Sequence, residues 1–309
     1  MSLPTNPQGR AETYLAKAAG VDVEIPTNPV GRVEEYLQAI AINGGGGGSE
    51  VEIAQQLADH TYEGRDLTVV FANEIANYTD EWAWVHARCD AGNFTGIHVG
   101  DYIPIHVAEN TTDDVAAEDH EAQIVGIGVY GAKKIDWVTK NCYSKKMGWH
   151  SNDNNNGDAT HDVPFAASDI YAWLESTIYP LLDQKLKNVI TSKTVYIGKR
   201  YKSGSTLTDD NGNSSITFSH LWIPFACEVV GTNGFSTPGY ETRGCIQYPL
   251  FSWGRDYRRK KRAGSGSDWW TASVASGDST KSVRIESYGQ ASTYANSYIA
   301  GIPICFSTI

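Results

Sequence analysis

Residues 267–282, SDWWTASVASGDSTKS, set two adjacent tryptophans in front of a run of small and polar residues. Tryptophan buries more apolar area than most side chains, whereas the residues that follow offer little surface for packing. A core strand does not continue in this way, and a flexible linker does not begin in this way. We therefore interpret Trp269 and Trp270 as scaffold residues, and the segment after them as a surface that makes contacts.

The composition indicates a globular protein with a sizeable core. The chain has 309 residues, of which 41% are hydrophobic and 20% charged, enough for one or two domains. Its nine Trp and seventeen Tyr either form binding surfaces or fill the core. The net charge of −11 argues against a nucleic-acid partner. The one basic run, RDYRRKKR at 255–262, is either a solvated loop or a contact for an acidic surface or an anionic polymer.

The cysteines and the N-terminus indicate the cellular compartment in which the chain folds. The five cysteines, at positions 89, 142, 227, 245 and 305, show no metal-binding spacing and predict buried, reduced thiols. The N-terminus has no apolar signal segment, and no run reaches the length of a membrane span. We therefore expect synthesis and folding in a bacterial cytoplasm, with no membrane insertion. Any extracellular stage would follow assembly into a released particle.

The first part of the chain contains an internal repeat. PTNPQGRAETYLAKAAG at 4–20 recurs as PTNPVGRVEEYLQAIA at 26–41, and each copy has the pattern of a short capped helix. Such helices are too short to stand alone, so their apolar faces must pack against other copies or a larger assembly. We predict a docking or oligomerisation segment over 1–43, a glycine-rich linker over 44–49, and an α+β domain over 50–309.

The predicted domain mixes helical and strand patterns. A capping box from Ser49 to Glu52 predicts a helix, and Trp82, Trp84 and Val85 lie on another. Ser168 precedes a third helical pattern, over 168–190. Alternating runs predict a β-hairpin, and other apolar runs predict strands that concentrate toward the C-terminus. The strand-like runs are 67–71, 97–107, 122–130, 194–201, 221–230, 282–287 and 302–309.

An ordered series of motifs resembles one family. HVGDYIPI (98–105), YAWL (171–174), LWIPFACEVVG (221–231), YPLF (248–251), WW-x-x-S (269–273) and GIPICF (301–306) resemble an uncharacterised domain of gut-bacterial prophage and exported proteins. The N-terminal repeat resembles that of head-fibre proteins of phages infecting gut Firmicutes. The resemblance covers nearly the whole chain. It implies a C-type-lectin-like fold and a virion fibre or receptor-binding protein, organised as a homotrimer.

The resemblance also implies a diversified binding face. Some phages vary such domains with retroelements, which randomise adenines in the coding sequence of a C-terminal variable region. Residues 264–301 are dominated by Ser, Gly, Thr, Tyr, Asn and Asp and contain no Leu, the composition of adaptable binding loops. The implied partners are other copies of the chain, other virion proteins through 1–43, and a bacterial surface protein or glycan.

The residues of this region divide into inward and outward sets. Those expected to pack inward are Trp269, Trp270, Val274, Val283, Ile285, Ile302 and Ile304. Those expected to face outward and bind ligand are Thr271, Ser276, Asp278, Ser279, Tyr288, Gln290, Ser292, Tyr294, Asn296 and Tyr298.

Motifs for catalysis or cofactors are missing from the sequence, which predicts no enzyme and no catalytic residues. Calcium stays open at two oxygen-rich segments. Asp209, Asn211 and Asn213 follow the alternation of a calcium loop, but Ser214 and His220 replace its required Gly and Glu. SNDNNNGD at 151–158 is the second segment.

Two other functional interpretations of the chain are a capsid-decorating protein without a specific ligand and, less favoured, an enzyme acting on surface polymers.

Overall fold

The computed structural model describes residues 47–151, 164–203, 206–231, 246–262, 264–275 and 277–309. The chain divides into two compact units, residues 1–63 and 64–309. In the first unit, helix α1 (Gly47–Ala58) begins two residues before the predicted cap at Ser49. The repeat over 1–43 lies outside the described residues. Within the described part of the chain, no helix combines the length and apolar character needed to cross a membrane.

The second unit begins with three helices. The strand prediction for residues 67–71 is wrong, because the Asp66 carboxylate accepts a hydrogen bond from the Thr68 amide (2.9 Å) and starts a helical turn. The predicted helix with Trp82, Trp84 and Val85 is confirmed, and all three side chains are buried. The elements in this part are α2 (Leu67–Val70), α3 (Ala72–Ile75) and α4 (Glu81–Ala91).

The helix predicted over 168–190 is segmented. Ser168 caps it as expected, since its hydroxyl accepts from the Tyr171 amide at 3.1 Å. The helix then passes through a π-helical turn, and Pro180, which lacks a backbone donor, begins the last short piece before the break at Leu182. Its pieces are a 3₁₀ turn (Pro164–Ala167), α5 (Asp169–Trp173), the π turn (Leu174–Ile178), α6 (Tyr179–Leu181) and α7 (Gln184–Lys187).

A six-stranded sheet lies at the centre of this unit. Its strands are β1 (Tyr102–Val107), β2 (Glu118–Ile127), β3 (Ile135–Thr139), β4 (Ile190–Thr191), β7 (Leu221–Trp222) and β13 (Cys305–Thr308). β1 and β2 pair antiparallel, which confirms the predicted hairpin. The C-terminal strand β13 pairs with β3 on one side and with β4 and β7 on the other. β13 therefore lies inside the sheet, between strands from other parts of the chain.

The prediction of one strand over 221–230 is wrong in its second half. β7 ends at Trp222, and α8 (Ala226–Val230) follows. The Glu228 carboxylate accepts from the Phe225 amide at 2.8 Å, which stabilises the start of this helix. Gly231, with φ of 74°, ends it. A buried apolar run fits a helix as well as a strand, and the capping contact favours the helix here.

The remaining elements form smaller sheets and short helices. β5 (Lys193–Ser203) and β6 (Thr206–Phe218) make a long ribbon, and β8 (Lys260–Arg262) pairs with β9 (Ser265–Ser267). β10 (Trp269–Val274), β11 (Lys281–Ile285) and β12 (Ala291–Ala295) form a three-stranded antiparallel sheet. Two short helices, α9 (Pro249–Ser252) and α10 (Arg255–Arg258), precede β8. The mixed α+β class is thus confirmed.

The cysteines only partly follow the prediction of reduced thiols. Cys89, Cys142 and Cys305 are free and buried, as expected, and burial raises the pKa of Cys89 to about 11 and that of Cys142 to about 12. The prediction for Cys227 is wrong, because Cys227 is disulfide-bonded. Sequence spacing cannot show which thiols the fold brings together. Cys245 lies outside the described residues.

Reduction of the Cys227 disulfide is expected to destabilise the protein by about 2–4 kcal/mol, because the cross-link restricts the unfolded chain. We expect a reductant to lower the melting temperature of the wild type and leave that of a Cys227→Ser variant unchanged. The three free thiols serve as the internal control, since they are present in both proteins. Equal melting temperatures of the wild type with and without reductant would contradict this prediction.

A buried ion pair lies in the core beside the central sheet. Lys193 Nζ is 2.6 Å from Glu228 Oε1, with the two side chains 1% and 0% exposed. The ammonium also lies 3.6 Å from the centroid of the Trp222 ring and 5.0 Å from that of Tyr248. Burial raises the pKa of neighbouring Asp136, whose Oδ1 accepts from the Ser307 hydroxyl at 2.5 Å. None of these charges reaches the surface, so they act on stability.

Candidate functional site

The candidate site is built on the β10–β11–β12 sheet. β10 is buried along its whole length, whereas β12 is half-exposed at the sheet edge. Arg284 on β11 is opposite Trp270 on β10 and Ser292 on β12, and Ser282 is opposite Tyr294. Directly paired residues in antiparallel strands point to the same face. The register therefore places a buried tryptophan, an arginine and a tyrosine on one face of the sheet.

The scaffold assignment for this sheet agrees with the structure. Trp269 and Trp270 are fully buried, and so are the five other residues predicted to pack inward. Each indole N–H has a partner: Trp269 donates to the Arg258 carbonyl (2.9 Å) and Trp270 to the Met147 carbonyl (3.1 Å). A fully buried indole with its donor satisfied combines a large apolar contribution with a fixed orientation. The two rings can thus hold the sheet in place independently of the residues at its surface.

Arg284 is the centre of the polar contacts on this face. Its Nη1 lies 2.8 Å from Asp268 Oδ2, and its Nη2 lies 3.6 Å from Glu286 Oε1. Its Nε donates to the Ser292 hydroxyl at 3.3 Å. The guanidinium carbon lies 4.0 Å from the Tyr294 ring centroid. Because the side chain is only 8% exposed, these contacts are desolvated and orient the tyrosine.

Two tyrosines form an aromatic pair at the exposed edge. The ring centroids of Tyr294 and Tyr298 are 4.4 Å apart at 61°, and Arg284 lies 4.7 Å from the Tyr298 centroid. Tyr298 also makes an edge contact with Trp270 at 6.5 Å. Tyr294 remains 41% exposed and the adjacent Ile299 58% exposed. The pair therefore connects the buried scaffold to a solvent-facing aromatic surface.

The turn between β11 and β12 carries a third exposed tyrosine, Tyr288, at 53% exposure. Asp268 Oδ1 accepts from the Ser287 amide at 2.8 Å, and Gly289 has φ of 85° with its Cα against the Arg255 backbone. The side-chain amide of Gln290 is oriented so that its oxygen faces Arg255. This oxygen accepts hydrogen bonds from both terminal nitrogens of Arg255, at 2.5 and 2.7 Å. The turn is thus fixed on two sides, with Tyr288 at its exposed tip.

The outward-facing prediction is wrong for two residues. Thr271 is buried, and its hydroxyl donates to the Val283 carbonyl at 2.7 Å. Asn296 is also buried, and its side-chain oxygen accepts from the Ser282 hydroxyl at 2.7 Å. Both residues join strands within the sheet, where β10 is covered on both faces. Polar alternation in such a strand does not indicate which side faces solvent.

The other predicted ligand residues separate into two places. Tyr288, Gln290, Ser292, Tyr294 and Tyr298 belong to the β11–β12 turn, strand β12 and the segment after it, and none of them is buried.

Asp278 and Ser279 lie in the β10–β11 loop, at the far end of β11 from that turn. Asp278 accepts from the Thr280 amide and hydroxyl at 2.8 and 2.7 Å. The Thr280 hydrogen bonds lower its pKa despite the opposing effect of burial. Ser276 lies outside the described residues.

Sequence reasoning missed the charged members of the site: Arg284, Asp268, Glu286 and Arg255. One signal was available. Arg284 occupies a polar position of the alternating run SVRIES at 282–287 within a mostly buried sheet, and a buried charge needs partners. Glu286 is two residues further along the same run, whereas Asp268 precedes β10, so only the strand register identifies Asp268 as a partner.

The described ranges contain no group of three His, Cys, Asp or Glu side chains placed to hold a metal ion. Residues 209–213 lie within strand β6, where Asp209 pairs with Arg200 and the register of the ribbon shifts over the residues that follow Asp210. Of the second oxygen-rich segment, 151–158, only Ser151 is described.

A comparison with known families matches residues 131–307 to the model described as "Domain of unknown function (DUF6273)". The match covers more than half of the chain and contains the whole β10–β12 sheet. No curated protein and no solved structure gives a significant match.

Proposed function

Since the chain belongs to the family described as Domain of unknown function (DUF6273), we propose a function from the site itself: the protein is a binding protein that presents the β11–β12 face to a ligand. In this proposal it is a phage virion fibre or receptor-binding protein with a C-type-lectin-like fold. Its ligand is a bacterial surface protein or glycan. The single observation that carries the proposal is the aromatic pair of exposed Tyr294 and half-buried Tyr298, held by a buried arginine.

The contrast between the two layers of the sheet supports recognition. Trp269 and Trp270 lie in the core, while Tyr288 and Tyr294 are 53% and 41% exposed. Exposed, oriented tyrosines supply contact area at low entropic cost, which is how binding loops obtain affinity. A decoration protein without a ligand has no need to orient such rings with a desolvated guanidinium. We therefore favour recognition over the purely structural alternative, and we assign no catalytic role to the face.

The same contrast is compatible with diversification by a retroelement. Changes at Tyr288, Ser292 or Tyr294 alter a surface residue, whereas changes at Thr271 or Asn296 remove hydrogen bonds within the sheet. We propose that variation within 264–301, if generated by such an element, concentrates at the former positions. A nearby reverse transcriptase and a near-repeat of the coding sequence for this region would support the idea.

The proposal extends to assembly and location. We propose that residues 1–43 attach the protein to the virion and that the fibre is a homotrimer. The disulfide at Cys227 fits a particle that leaves the cytoplasm, because disulfides persist in oxidising surroundings. Size measurement of the chain with and without its first 48 residues tests both points. Trimers that persist without that segment would place the contacts in the remainder of the chain.

Replacing Tyr294 by alanine is expected to weaken binding to host cells or glycans about tenfold or more, because a central aromatic anchor is lost. Tyr78→Ala is the matched control, since Tyr78 is 43% exposed, Tyr294 is 41% exposed, and Tyr78 lies away from this sheet. Binding is measured on whole cells and on glycan arrays. Equal binding by the two variants would contradict the proposed face, and no binding by the wild type would favour the decoration protein.

A further inference from the structure

A basic segment adjoins the proposed binding face. Six of the eight residues at 255–262 are Lys or Arg, and one is acidic, in a chain whose net charge is −11. Arg255, Arg259 and Lys261 are exposed, whereas Lys260 is buried and Arg258 is partly buried. The exposed members therefore form a local positive surface on an acidic protein. At physiological salt, charges beyond about 8 Å are largely screened, so this local surface decides which ions bind here.

Two arginines join this surface to the tyrosine-bearing turn. Arg255 donates to the Gln290 side chain, as described above, and Arg259 Nε donates to the Ser287 carbonyl at 3.2 Å. Tyr288 lies between these two contact points in sequence and is 53% exposed. A ligand that stacks on this ring therefore comes within reach of both guanidinium groups.

The positive charges of the segment are crowded. Burial and the nearby charge of Arg255 lower the pKa of Arg258. Arg259 is paired with Asp256 at 3.2 Å, but their side chains are 55% and 87% exposed, so this pair adds little stability. An anion bound beside Arg255 and Arg259 would relieve the repulsion and would displace only a weak pair.

We propose that the ligand of the face is an anionic polysaccharide, whose sugar rings stack on Tyr288 and Tyr294 while its acidic groups bind Arg255 and Arg259. This inference rests on the proposed function and specifies its ligand class. Tyrosine faces suit the apolar faces of sugar rings, and guanidinium groups bind carboxylate, sulfate or phosphate through paired hydrogen bonds. Tyr288 lies on the turn that Arg255 and Arg259 contact, and Tyr294 follows on β12, which favours an extended ligand that carries both chemistries.

The test compares polymers that differ in charge. Dextran and dextran sulfate share a backbone, alginate supplies carboxylates, and a single-stranded DNA oligonucleotide represents another class of polyanion. We expect the full-length protein to bind dextran sulfate or alginate, and to bind dextran and the oligonucleotide at least about tenfold more weakly. Preference for dextran sulfate would identify ester anions as the bound groups, and preference for alginate would identify carboxylates.

The variant Arg259→Gln/Lys261→Gln is expected to lose about tenfold in affinity for the anionic polymer, a loss that high salt reduces. Its control, Lys133→Gln, removes an exposed positive charge between β2 and β3 and should bind like the wild type. The single variant Lys261→Gln keeps the contact between Arg259 and the turn. A partial loss of affinity in this variant therefore shows that the loss does not come from misfolding of the turn.

Three results would overturn the inference. Binding to neutral glycan that needs Tyr294 but not Arg259 or Lys261 would refute the ligand class and leave the proposed face intact. Tighter binding to the oligonucleotide would replace the ligand class with nucleic acid. Binding that is unaffected by Tyr294→Ala would remove both the inference and the proposed function.

Discussion

Replacing Lys193 by methionine is expected to lower the free energy of unfolding by about 3–5 kcal/mol, which is enough to unfold a marginal domain. The substitution leaves Glu228 as an uncompensated carboxylate in the core, where its side chain is 0% exposed. It also removes the cation from its position 3.6 Å from the Trp222 ring centroid. Chemical denaturation of the two proteins measures the difference.

A second ion pair provides a matched control. Lys185 Nζ and Glu81 Oε1 are also 2.6 Å apart, but the side chains are 40% and 17% exposed. We expect Lys185→Met to cost less than about 1 kcal/mol, because water solvates the remaining carboxylate. The double variant Lys193→Met/Glu228→Gln should recover part of the loss by removing the buried charge. Equal losses from Lys193→Met and Lys185→Met would show that burial does not determine the effect.

Replacing Trp270 by alanine is expected to lower the free energy of unfolding by about 3–5 kcal/mol and to impair the binding face. Trp270 is fully buried, and its loss creates a cavity on the face of the sheet that carries Arg284 and Tyr294. Tyr298 then lacks the ring against which it packs at 6.5 Å, so the pair with Tyr294 loses its support. Denaturant titration and a binding assay on the folded fraction measure the two effects separately.

Two further variants distinguish scaffold from surface. Trp270→Phe keeps most of the volume but loses the hydrogen bond to the Met147 carbonyl, so we expect a smaller cost of about 1 kcal/mol. Tyr288→Ala removes a side chain that is 53% exposed and should change stability by less than about 0.5 kcal/mol while weakening binding. If Tyr288→Ala destabilised the protein as much as Trp270→Ala, the division into a core layer and a binding layer would be wrong.

The success of the secondary-structure predictions depended on how local the signal was. The helix that carries Trp82, Trp84 and Val85 was predicted correctly, and the structure shows that its end signals are local as well, since Asp80 caps its start and Gly92 its end. The segment after Trp222 was predicted incorrectly because an apolar run fits two structures. In this segment the helix is favoured by the Glu228 carboxylate. One of its oxygens accepts from the Phe225 amide at the start of the helix, and the other pairs with Lys193.

The site was predicted in its aromatic part and missed in its charged part. Tyr288, Tyr294 and Tyr298 were identified because a tyrosine in a polar, Leu-free region is recognisable from composition. Arg284 and Asp268 were missed because their partnership depends on the pairing of strands that are separated in sequence. Thr271 was placed outside because alternation alone does not reveal that a strand is covered on both faces, and Asn296 because its bond to Ser282 joins positions that are distant in the sequence.

The amino-acid sequence was sufficient for the α+β class, the tryptophan scaffold and the exposed tyrosines, because volume, polarity and helix caps act over a few neighbouring residues. Tertiary structure alone decided that Cys227 is oxidised, that Lys193 is buried against Glu228, and that Arg284 holds the tyrosine pair. Each of these depends on a contact between distant positions in the chain. Such contacts arise only when the whole core closes, and no local pattern of residues encodes them.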